Sequence, residues 1–337
     1  MKKEALLYNK KSSDVVECLL CNHNCIIKNG SFGICGVREN INGKLFTHAY
    51  GQVIANQIDP IEKKPLYHFL PGSRAYSIAT IGCNFQCGFC QNWQISQASF
   101  YDNKDQPGLE LSPEDVVKKT KESNSKTIAY TYTEPTVFFE YALDTAKIAK
   151  KNGLSNIFVT NGFMSKKALD LIAPYLDACN VDLKSFKEKT YKDVCKARLK
   201  PVLESIKHMK ALGIWVEITT LIVPGLNDSL DEIKSISEFI ASVGVEIPWH
   251  ISRFHPDYRY TDTPETPIST LNAAKKIGKD AGLRYVYLGN VAENTNTYCY
   301  KCNQLLIERN HLYTTQLHIE SEYCPECNSL LDGVFKF

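Results

Sequence analysis

The chain has 337 residues, 44% of them hydrophobic, with a net charge of +2 and a pI near 7.9. This size suffices to bury one large α/β core with small appendages. Acidic and basic residues are interspersed, which excludes the charge pattern of a nucleic-acid or anionic-membrane binder. The basic start MKKEALLYNKKSSD is followed by no apolar segment, and no run approaches a membrane span. We therefore expect a cytoplasmic protein without a nucleic-acid or membrane partner.

Eleven of the thirteen cysteines fall into three groups. In a chain of the reducing cytoplasm, such grouping indicates metal binding rather than disulfides. The groups are Cys18, Cys21, Cys25 and Cys35; Cys83, Cys87 and Cys90; and Cys299, Cys302, Cys324 and Cys327. Cys179 and Cys195 stand alone, and we predict that both are small core residues.

The first group lies in residues 1–50, which we predict to be a cysteine-rich cap, followed by a linker at 51–74. Its spacing, C-x2-C-x3-C-x9-C, provides four thiolates, with His23 as a spare ligand. A structural zinc ion and an auxiliary iron–sulfur cluster fit this spacing equally well. Zinc would only fold the cap, whereas a cluster would relay electrons.

The middle of the chain alternates short β-branched or aromatic runs with longer amphipathic segments. The predicted strands are 75–81, 127–133, 156–161, 178–183, 215–223, 248–254 and 284–290, and helices are predicted after Ser112, after Ser165 and over 227–242. Strand–helix alternation predicts a parallel sheet with right-handed crossovers, here a partial (β/α)6-type TIM barrel over residues 75–292. Functional groups of such folds gather at the carboxyl ends of the strands.

The second cysteine group follows the first of these strands directly, in the stretch GCNFQCGFCQNW. Three thiolates on one loop cannot close a structural zinc site, which normally takes four protein ligands. They can hold three irons of a [4Fe–4S] cube and leave the fourth iron for an exogenous ligand. A zinc knuckle that borrows a distant histidine is the alternative interpretation.

With Phe89 before its last cysteine, this motif resembles the signature of radical S-adenosylmethionine (SAM) enzymes. The resemblance implies that Cys83, Cys87 and Cys90 bind a [4Fe–4S] cluster and that SAM chelates the open iron. It also implies that Phe89 packs near the adenine. In that superfamily an electron from the cluster cleaves the sulfonium, and the resulting 5′-deoxyadenosyl radical removes a hydrogen atom from the substrate.

Further segments resemble the pyruvate formate-lyase activating enzymes of this superfamily. YTEPT (132–136) is similar to their GGEP segment, which implies that Thr133 and Glu134 meet the SAM amino group; alternatively, Glu134 is an acid that begins the following helix. Two further segments resemble those enzymes, VTNG (159–162) and VDLK (181–184). The resemblance implies that Thr160 and Asn161 of the first segment contact SAM. It also implies that Asp182 and Lys184 of the second lie near the SAM carboxylate.

The resemblance also implies that His250 lies near SAM, although a strand histidine is often a satisfied core residue. Alternation along the strand directs Glu217 inward as well, where it would need a partner such as the substrate, SAM or a barrel lysine or arginine. The predicted substrate contacts are Glu217, His255, Asp257 and Tyr258.

The third group consists of two C-x2-C pairs separated by 21 residues. This spacing predicts a zinc-ribbon or rubredoxin-like module over residues 293–337. Four thiolates close the coordination shell, so we expect a structural metal, with zinc ahead of iron.

Segments along the whole chain, among them DPIEKKPLYHFLPGSRAYSI and PWHISRFHPDY, resemble the AmmeMemoRadiSam-system radical SAM family. This resemblance implies an oxygen-sensitive enzyme with a flavodoxin or ferredoxin as electron donor and with AMMECR1-domain and Memo-like proteins as partners. Its substrate would be a protein or peptide, as for glycyl-radical activases, or alternatively a small molecule. A non-catalytic metal-binding scaffold is a third alternative, against which Glu134, Asp182 and Lys184 argue.

Overall fold

A computed structural model describes residues 2–99, 108–293 and 295–335. In the N-terminal part, short strands form two three-stranded antiparallel sheets, ordered β1-β6-β5 and β2-β3-β4. Their bounds are β1 Lys3–Glu4, β2 Tyr8–Lys10, β3 Val15–Cys18, β4 Ile26–Lys28, β5 Arg38–Ile41 and β6 Lys44–Thr47, and β7 Gln52–Val53 follows them. The predicted cap is therefore a pair of small sheets, which alone bury too little apolar surface to be stable and pack on the barrel.

The barrel is an eight-stranded sheet in the order β16-β15-β14-β13-β12-β11-β9-β8. Its strands are β8 Ala55–Pro60, β9 Arg74–Ala79, β11 Thr127–Tyr130, β12 Ser155–Thr160, β13 Ala178–Asp182, β14 Trp215–Ile222, β15 Trp249–Arg253 and β16 Val286–Gly289. All neighbours from β9 to β16 pair in parallel. The seven predicted strands and the (β/α)6-type class are thus confirmed.

Helices connect the parallel strands and cover the outside of the sheet. Their bounds are α1 Trp93–Ser96, α2 Pro113–Glu122, α3 Phe139–Lys151, α4 Lys166–Ile172, α5 Glu188–Thr190, α6 Leu199–Ala211, α7 Leu230–Val243 and α8 Ile268–Asp280; β10 Leu109–Glu110 lies between α1 and α2 and pairs with β7. Ser112 caps α2 in a reciprocal capping box with Asp115, and the Ser165 hydroxyl accepts the first bond of α4 from Ala168 N. Both predicted start signals therefore act as caps. Within the described ranges, no helix combines the length and the apolar character needed to cross a bilayer.

The range 51–74, predicted as a linker, contributes strand β8 and a 3₁₀ turn, Ile61–Lys63, to the barrel. Strand β8 pairs antiparallel with β9 and forms one edge of the sheet. Its sequence, ANQIDP, is largely polar because much of this edge strand is exposed, so it lacks the apolar run that identified the other strands.

The C-terminal module is a three-stranded antiparallel sheet of β17 Thr297–Tyr298, β18 Leu305–Asn310 and β19 Tyr313–Leu317. It attaches to the segment before β9 through Val334, whose N–H donates to His68 O at 2.7 Å and whose carbonyl oxygen accepts from Leu70 N at 2.8 Å. The buried Arg309 guanidinium donates to the carbonyl oxygen of Tyr67 at 2.7 Å. This segment leads into the amino end of β9, so the module lies at the barrel end opposite the cysteine loop.

Candidate functional site: a cysteine-lined cavity at the barrel mouth

The cysteine loop, Gly82–Trp93, begins where β9 ends. Gly82 has φ of 94°, and a Cβ atom there would lie 2.7 Å from the carbonyl oxygen of Cys35. Glycine is therefore required both by the left-handed backbone and by the close approach of the N-terminal loop. Within the loop, Phe85 N donates to Cys83 Sγ over 3.3 Å, and Cys90 Sγ lies 3.2 Å from Ser96 Oγ. These bonds hold two of the three thiols in place.

A cavity of about 400 Å³ opens over this loop at the carboxyl ends of the parallel strands. Ten predicted residues line it: Cys83, Cys87, Phe89, Cys90, Thr133, Glu134, Thr160, Asn161, Asp182 and Lys184. They follow β9, β11, β12 and β13, which are neighbours in the sheet. The cavity has the size of a small-molecule site, so the structure brings the cysteine loop and the predicted SAM residues together.

Glu134 is 1% exposed and is held by four hydrogen bonds. Its Oε1 accepts from Thr136 N at 3.0 Å, from the Thr136 hydroxyl at 2.5 Å and from the Thr160 hydroxyl at 2.8 Å, and its Oε2 accepts from Asn161 N at 2.8 Å. Burial raises the pKa of this carboxyl group, and the hydrogen bonds counteract that rise. Glu134 therefore both caps the helical turn after it and presents a fixed carboxylate to the cavity.

Lys184 and Asp182 form an ion pair inside the cavity, with Lys184 Nζ 3.1 Å from Asp182 Oδ2. Burial would lower the pKa of Lys184, but Asp182 and nearby thiolates hold that pKa well above its usual range. The Nζ atom also lies 5.8 Å from the centre of the Phe89 ring. A permanent cation thus faces the cavity next to the aromatic residue of the cysteine loop.

Two predicted residues, His250 and Glu217, are absent from the cavity lining in the described part of the chain. Both are buried and bind each other, with His250 Nε2 2.7 Å from Glu217 Oε2. Two residues further along the same strands, Ser252 and Thr219 do line the cavity. His250 and Glu217 therefore point inward, as alternation predicted, but they lie one layer below the cavity.

The predicted substrate residues of the loop after β15 lie against the cysteine loop rather than within the cavity lining. His255 Nε2 lies 2.7 Å from Gln91 Nε2, and Tyr258 stacks on Trp93 with ring centres 5.0 Å apart. The Asp257 carboxylate accepts from Tyr258 N at 2.6 Å. These contacts make the loop a cover for the outer side of the cysteine loop.

Sequence reasoning missed a buried polar cluster on the other side of the cavity. Asp59 on β8 accepts from Lys64 Nζ at 2.6 Å and from the Tyr132 hydroxyl at 2.5 Å. Bonds from lysine and tyrosine hold the pKa of Asp59 well below its usual range despite burial. Lys64 and Tyr132 line the cavity. The acidic and basic residues of DPIEKK (59–64), nine residues before the first parallel strand, were the available signal.

The cysteine groups differ in how closely their sulfur atoms approach. In the described ranges, only the C-terminal four bring all their Sγ atoms within 4.8 Å of one another, with Cys299 and Cys327 3.7 Å and Cys302 and Cys324 3.6 Å apart. That separation suits one tetrahedral ion, whose sulfur ligands lie about 3.8 Å apart when the metal–sulfur bond is ~2.3 Å. The C-terminal group could thus hold a metal ion.

The thiols of Cys83, Cys87 and Cys90 line the cavity without converging on one ion-sized point. A cluster of several irons needs such a wider arrangement, because its irons and sulfides lie between the cysteine sulfurs. The buried Cys195 is within hydrogen-bonding reach of Cys87 but is not among the described residues that line the cavity. The cavity side thus offers three thiols, which fits a cluster with one iron open to a ligand.

Comparison with known proteins agrees with this site. Residues 77–240 match the family model described as the Radical SAM superfamily. An uncharacterised protein of Methanocaldococcus jannaschii is 46% identical over 98% of this chain and 99% of its own length. A second protein of that organism, provisionally named a glycyl-radical enzyme activating enzyme, is 27% identical over 64% of this chain and 79% of its own length.

Among solved structures, a radical SAM methyltransferase from Sphaerobacter thermophilus superposes with a TM-score of 0.53 and 12% identity, over 90% of this chain and 81% of that one. At this identity the likeness concerns the fold alone. The matched family model spans the cysteine loop and the strand ends that line the cavity. The family implies a [4Fe–4S] cluster and SAM, and the three-thiol cavity fits both. The chain belongs to the radical SAM superfamily of enzymes.

Proposed function

We propose that this enzyme reductively cleaves SAM at a [4Fe–4S] cluster on the cysteine loop and uses the resulting radical to abstract a hydrogen atom from a protein or peptide. The observation that supports this most directly is the convergence in one cavity of the three loop thiols, Phe89 and the charged side chains of Glu134 and Lys184. Glu134, Lys184 and two of the three thiols are already held by hydrogen bonds, which favours binding because less ordering remains to be done.

The charges of the cavity complement those of SAM. Glu134, held by backbone and hydroxyl donors, can accept a hydrogen bond from the SAM ammonium group. Lys184 presents a compact cation for the carboxylate. Phe89 is 3% exposed and offers an apolar surface for the adenine ring.

Cys83, Cys87 and Cys90 would hold the cluster, whose reduced form would supply the electron for cleavage of SAM to methionine and a 5′-deoxyadenosyl radical. The protein itself must exclude water from that radical and orient it toward the substrate. Gly88 allows Tyr260 to pack on the cysteine loop, since a Cβ there would lie 2.8 Å from the Tyr260 ring. Arg259 N donates to Gly88 O at 3.0 Å and fixes this cover. Water is thus kept from the loop's outer side.

A protein or peptide substrate is supported by the rim of the cavity and by the activating-enzyme relative. Gln91 and Asn92 on the rim are exposed amides that can hydrogen bond to a peptide backbone. Lys63 extends from the same rim with half of its side chain exposed. A flavodoxin- or ferredoxin-like donor and the AMMECR1-domain and Memo-like proteins are the partners that we propose.

The first test is SAM cleavage by anaerobically reconstituted protein. With a chemical reductant, the wild type should release 5′-deoxyadenosine and methionine in equal amounts. Cys90→Ala should abolish the release, whereas Cys179→Ala, which removes a thiol buried in β13, should preserve it. Absence of cleavage by the wild type, or undiminished cleavage by Cys90→Ala, would refute the proposal.

The second test addresses the substrate. A fully deuterated proteome and the deuterated small-molecule extract of the same cells are offered separately to the reduced enzyme with unlabelled SAM. We expect deuterium in 5′-deoxyadenosine from the proteome fraction, and enrichment when that fraction contains the two proposed partner proteins. If deuterium enters 5′-deoxyadenosine only from the small-molecule extract, the substrate is a metabolite and not a protein or peptide.

A further inference from the structure

A second, smaller cavity lies on the other side of the cysteine loop, and all four N-terminal cysteines line it. Cys18 ends β3, Cys21 and Cys25 lie between β3 and β4, and Cys35 precedes β5. The loop between β3 and β4 is attached to the barrel, because Asn22 Nδ2 donates to Phe163 O and Met164 O at 3.1 and 2.9 Å. The cap thus brings four thiols to one cavity against the barrel.

The spacing of these thiols is wider than a single ion requires. In the described part of the chain, no three of the four N-terminal sulfur atoms lie within 4.8 Å of one another. The C-terminal four do meet this condition. A tetrahedral zinc ion needs neighbouring sulfurs about 3.8 Å apart, whereas the cysteines around an iron–sulfur cluster are separated by its irons and sulfides. Unlike the C-terminal set, the N-terminal thiols are therefore not gathered at the spacing of a single ion.

Two buried donors without a partner line the same cavity. Arg38 binds Glu140 through both terminal nitrogens, at 3.0 and 2.7 Å, but its Nε has no hydrogen-bond partner. Asn84 accepts from Asn161 Nδ2 at 2.7 Å, yet its own Nδ2 has no partner. Both residues are 1% exposed. Unpaired buried N–H groups are rare, and N–H donors to the sulfurs are typical of iron–sulfur sites.

The spare ligand of the sequence, His23, is engaged elsewhere. Its Nε2 lies 2.7 Å from the carbonyl oxygen of Asn84. The donors that line this cavity are therefore four cysteine thiols and the two unpaired N–H groups.

From these observations we propose that Cys18, Cys21, Cys25 and Cys35 hold a second iron–sulfur cluster, to whose sulfur atoms Arg38 and Asn84 donate. The two sites are adjacent, because Asn84 directly follows the first-site ligand Cys83 and Cys35 O contacts Gly82. On the outer side, Ile34 lines the cavity and is 48% exposed. The second cluster thus lies between the surface and the first.

This position suits one-electron relay, a role that rests on the proposed function. A reduced flavin or iron–sulfur protein would give one electron to the N-terminal cluster. The same electron would then pass to the cluster on the cysteine loop, so that the relay returns to its oxidised state and no proton moves. Binding of the second cluster does not itself depend on SAM chemistry.

The deciding experiment measures iron, zinc and electron paramagnetic resonance (EPR) in the full chain. A triple variant, Cys83→Ala, Cys87→Ala and Cys90→Ala, is reconstituted anaerobically with iron and sulfide. It should retain about four irons per chain and a cluster signal on reduction. Adding Cys21→Ala and Cys35→Ala should remove both, while adding Cys179→Ala should not. A triple variant that holds a second zinc ion, beyond the one expected at the C-terminal cysteines, and that gives no cluster signal would overturn the proposal.

Because loss of N-terminal ligands could unfold the cap, a milder variant is measured in the triple background. Asn84→Asp keeps the acceptor for Asn161 but replaces the free N–H by oxygen. The iron content should be unchanged, and the midpoint potential should fall, since a donor to the cluster is lost and a negative charge is added. An unchanged potential would exclude Asn84 from the site.

Proximity is tested by EPR of the wild type with both clusters reduced. Its spectrum should be broadened relative to the sum of two single-site variants, because adjacent unpaired spins couple. A simple sum would place the second cluster away from the first and contradict the proposed position. If the wild type does not cleave SAM but the triple variant still binds iron, the proposed function is refuted and the second cluster site is supported.

Discussion

His250 Nε2 lies 2.7 Å from Glu217 Oε2, one layer beneath the cavity that holds the loop thiols. Glu217 also accepts from Tyr67 N at 3.0 Å, His68 N at 2.8 Å and Trp215 Nε1 at 3.0 Å. Each oxygen of this buried carboxylate has two donors, so all four of its lone pairs are occupied. The pair therefore fastens the segment before β9 across the lower end of the barrel.

Glu217→Ala should destabilise the protein rather than disturb SAM binding. Removing the buried carboxylate leaves its donors unsatisfied, and each unsatisfied buried donor typically costs about 1–3 kcal/mol. Chemical denaturation gives the free energy of unfolding, and anaerobic calorimetry gives the SAM dissociation constant, which should change less than threefold. A variant of normal stability with weakened SAM binding would instead place Glu217 at the ligand.

Lys184→Met should weaken SAM binding by tenfold or more while leaving the iron content unchanged. Methionine keeps the length of the side chain but removes the cation, and a charged hydrogen bond contributes about 1.5–3 kcal/mol. The matched control is Lys189→Met, whose side chain is 86% exposed and which should bind SAM like the wild type. If the two variants bind SAM with equal affinity, Lys184 does not contribute to SAM binding.

Acid should destabilise the contact between the C-terminal module and the barrel through His68. Burial lowers the pKa of His68 to about 4, and its neutral ring bonds the carbonyl oxygen of Asp332 and the Tyr287 hydroxyl, each at 2.7 Å. The unfolded chain takes up a proton below pH 6.5, so the stability is complete above 6.5 and falls toward pH 4 by about 1.4 kcal/mol per unit.

The measurement compares the wild type with His68→Gln by denaturation between pH 4 and 7. Glutamine can replace both hydrogen bonds but does not titrate in this range. The stability difference between the two proteins should therefore shrink as the pH falls. A difference that is constant across the range would show that the pKa of His68 is the same in the folded and the unfolded chain.

Arg309→Ala should loosen the C-terminal module from the barrel. This buried guanidinium donates to Thr295 O, Thr297 Oγ1 and Tyr67 O and lies 3.8 Å from the buried Glu62 carboxylate. Its loss strands that carboxylate and should cost about 3–5 kcal/mol. Limited proteolysis should then cut within residues 295–335 at least tenfold faster than in the exposed-arginine control, Arg74→Ala.

The C-terminal four cysteines should bind one zinc ion that stabilises the module. Cys302→Ser replaces the exposed member of the set, so the fold is little disturbed by the change itself. Elemental analysis should show the loss of one zinc per chain, and the thermal midpoint should fall, because metal binding contributes folding free energy. Iron bound in place of zinc would be recognised by its visible absorption. That result would change the identity of the metal but not the location of the site.

Much of the fold could be predicted because its signals are local. Each parallel strand is buried on both faces and so appears as an apolar run, and Ser112 and Ser165 mark helix starts by direct contact with their own first turns. The cysteine groups are likewise local, since metal ligands cluster along the chain.

The rest depends on partners distant in the sequence. Strand β8 shows no apolar run because it is an exposed edge strand, and Asp59 becomes a cavity-side acid only when Tyr132 reaches it across 73 positions. His250 was predicted to face inward, and it does, but its depth depends on the strand register that pairs Thr219 with His250.

The sequence alone determined that this chain holds a three-thiol loop at the end of the first parallel strand, because ligand spacing and strand order are properties of the chain itself. Only the tertiary structure decided what surrounds that loop. It set the separation of the N-terminal sulfurs, left the nitrogens of Arg38 and Asn84 unpaired beside them, and placed Glu217 below the cavity. These are outcomes of packing between distant segments, and no local pattern encodes them.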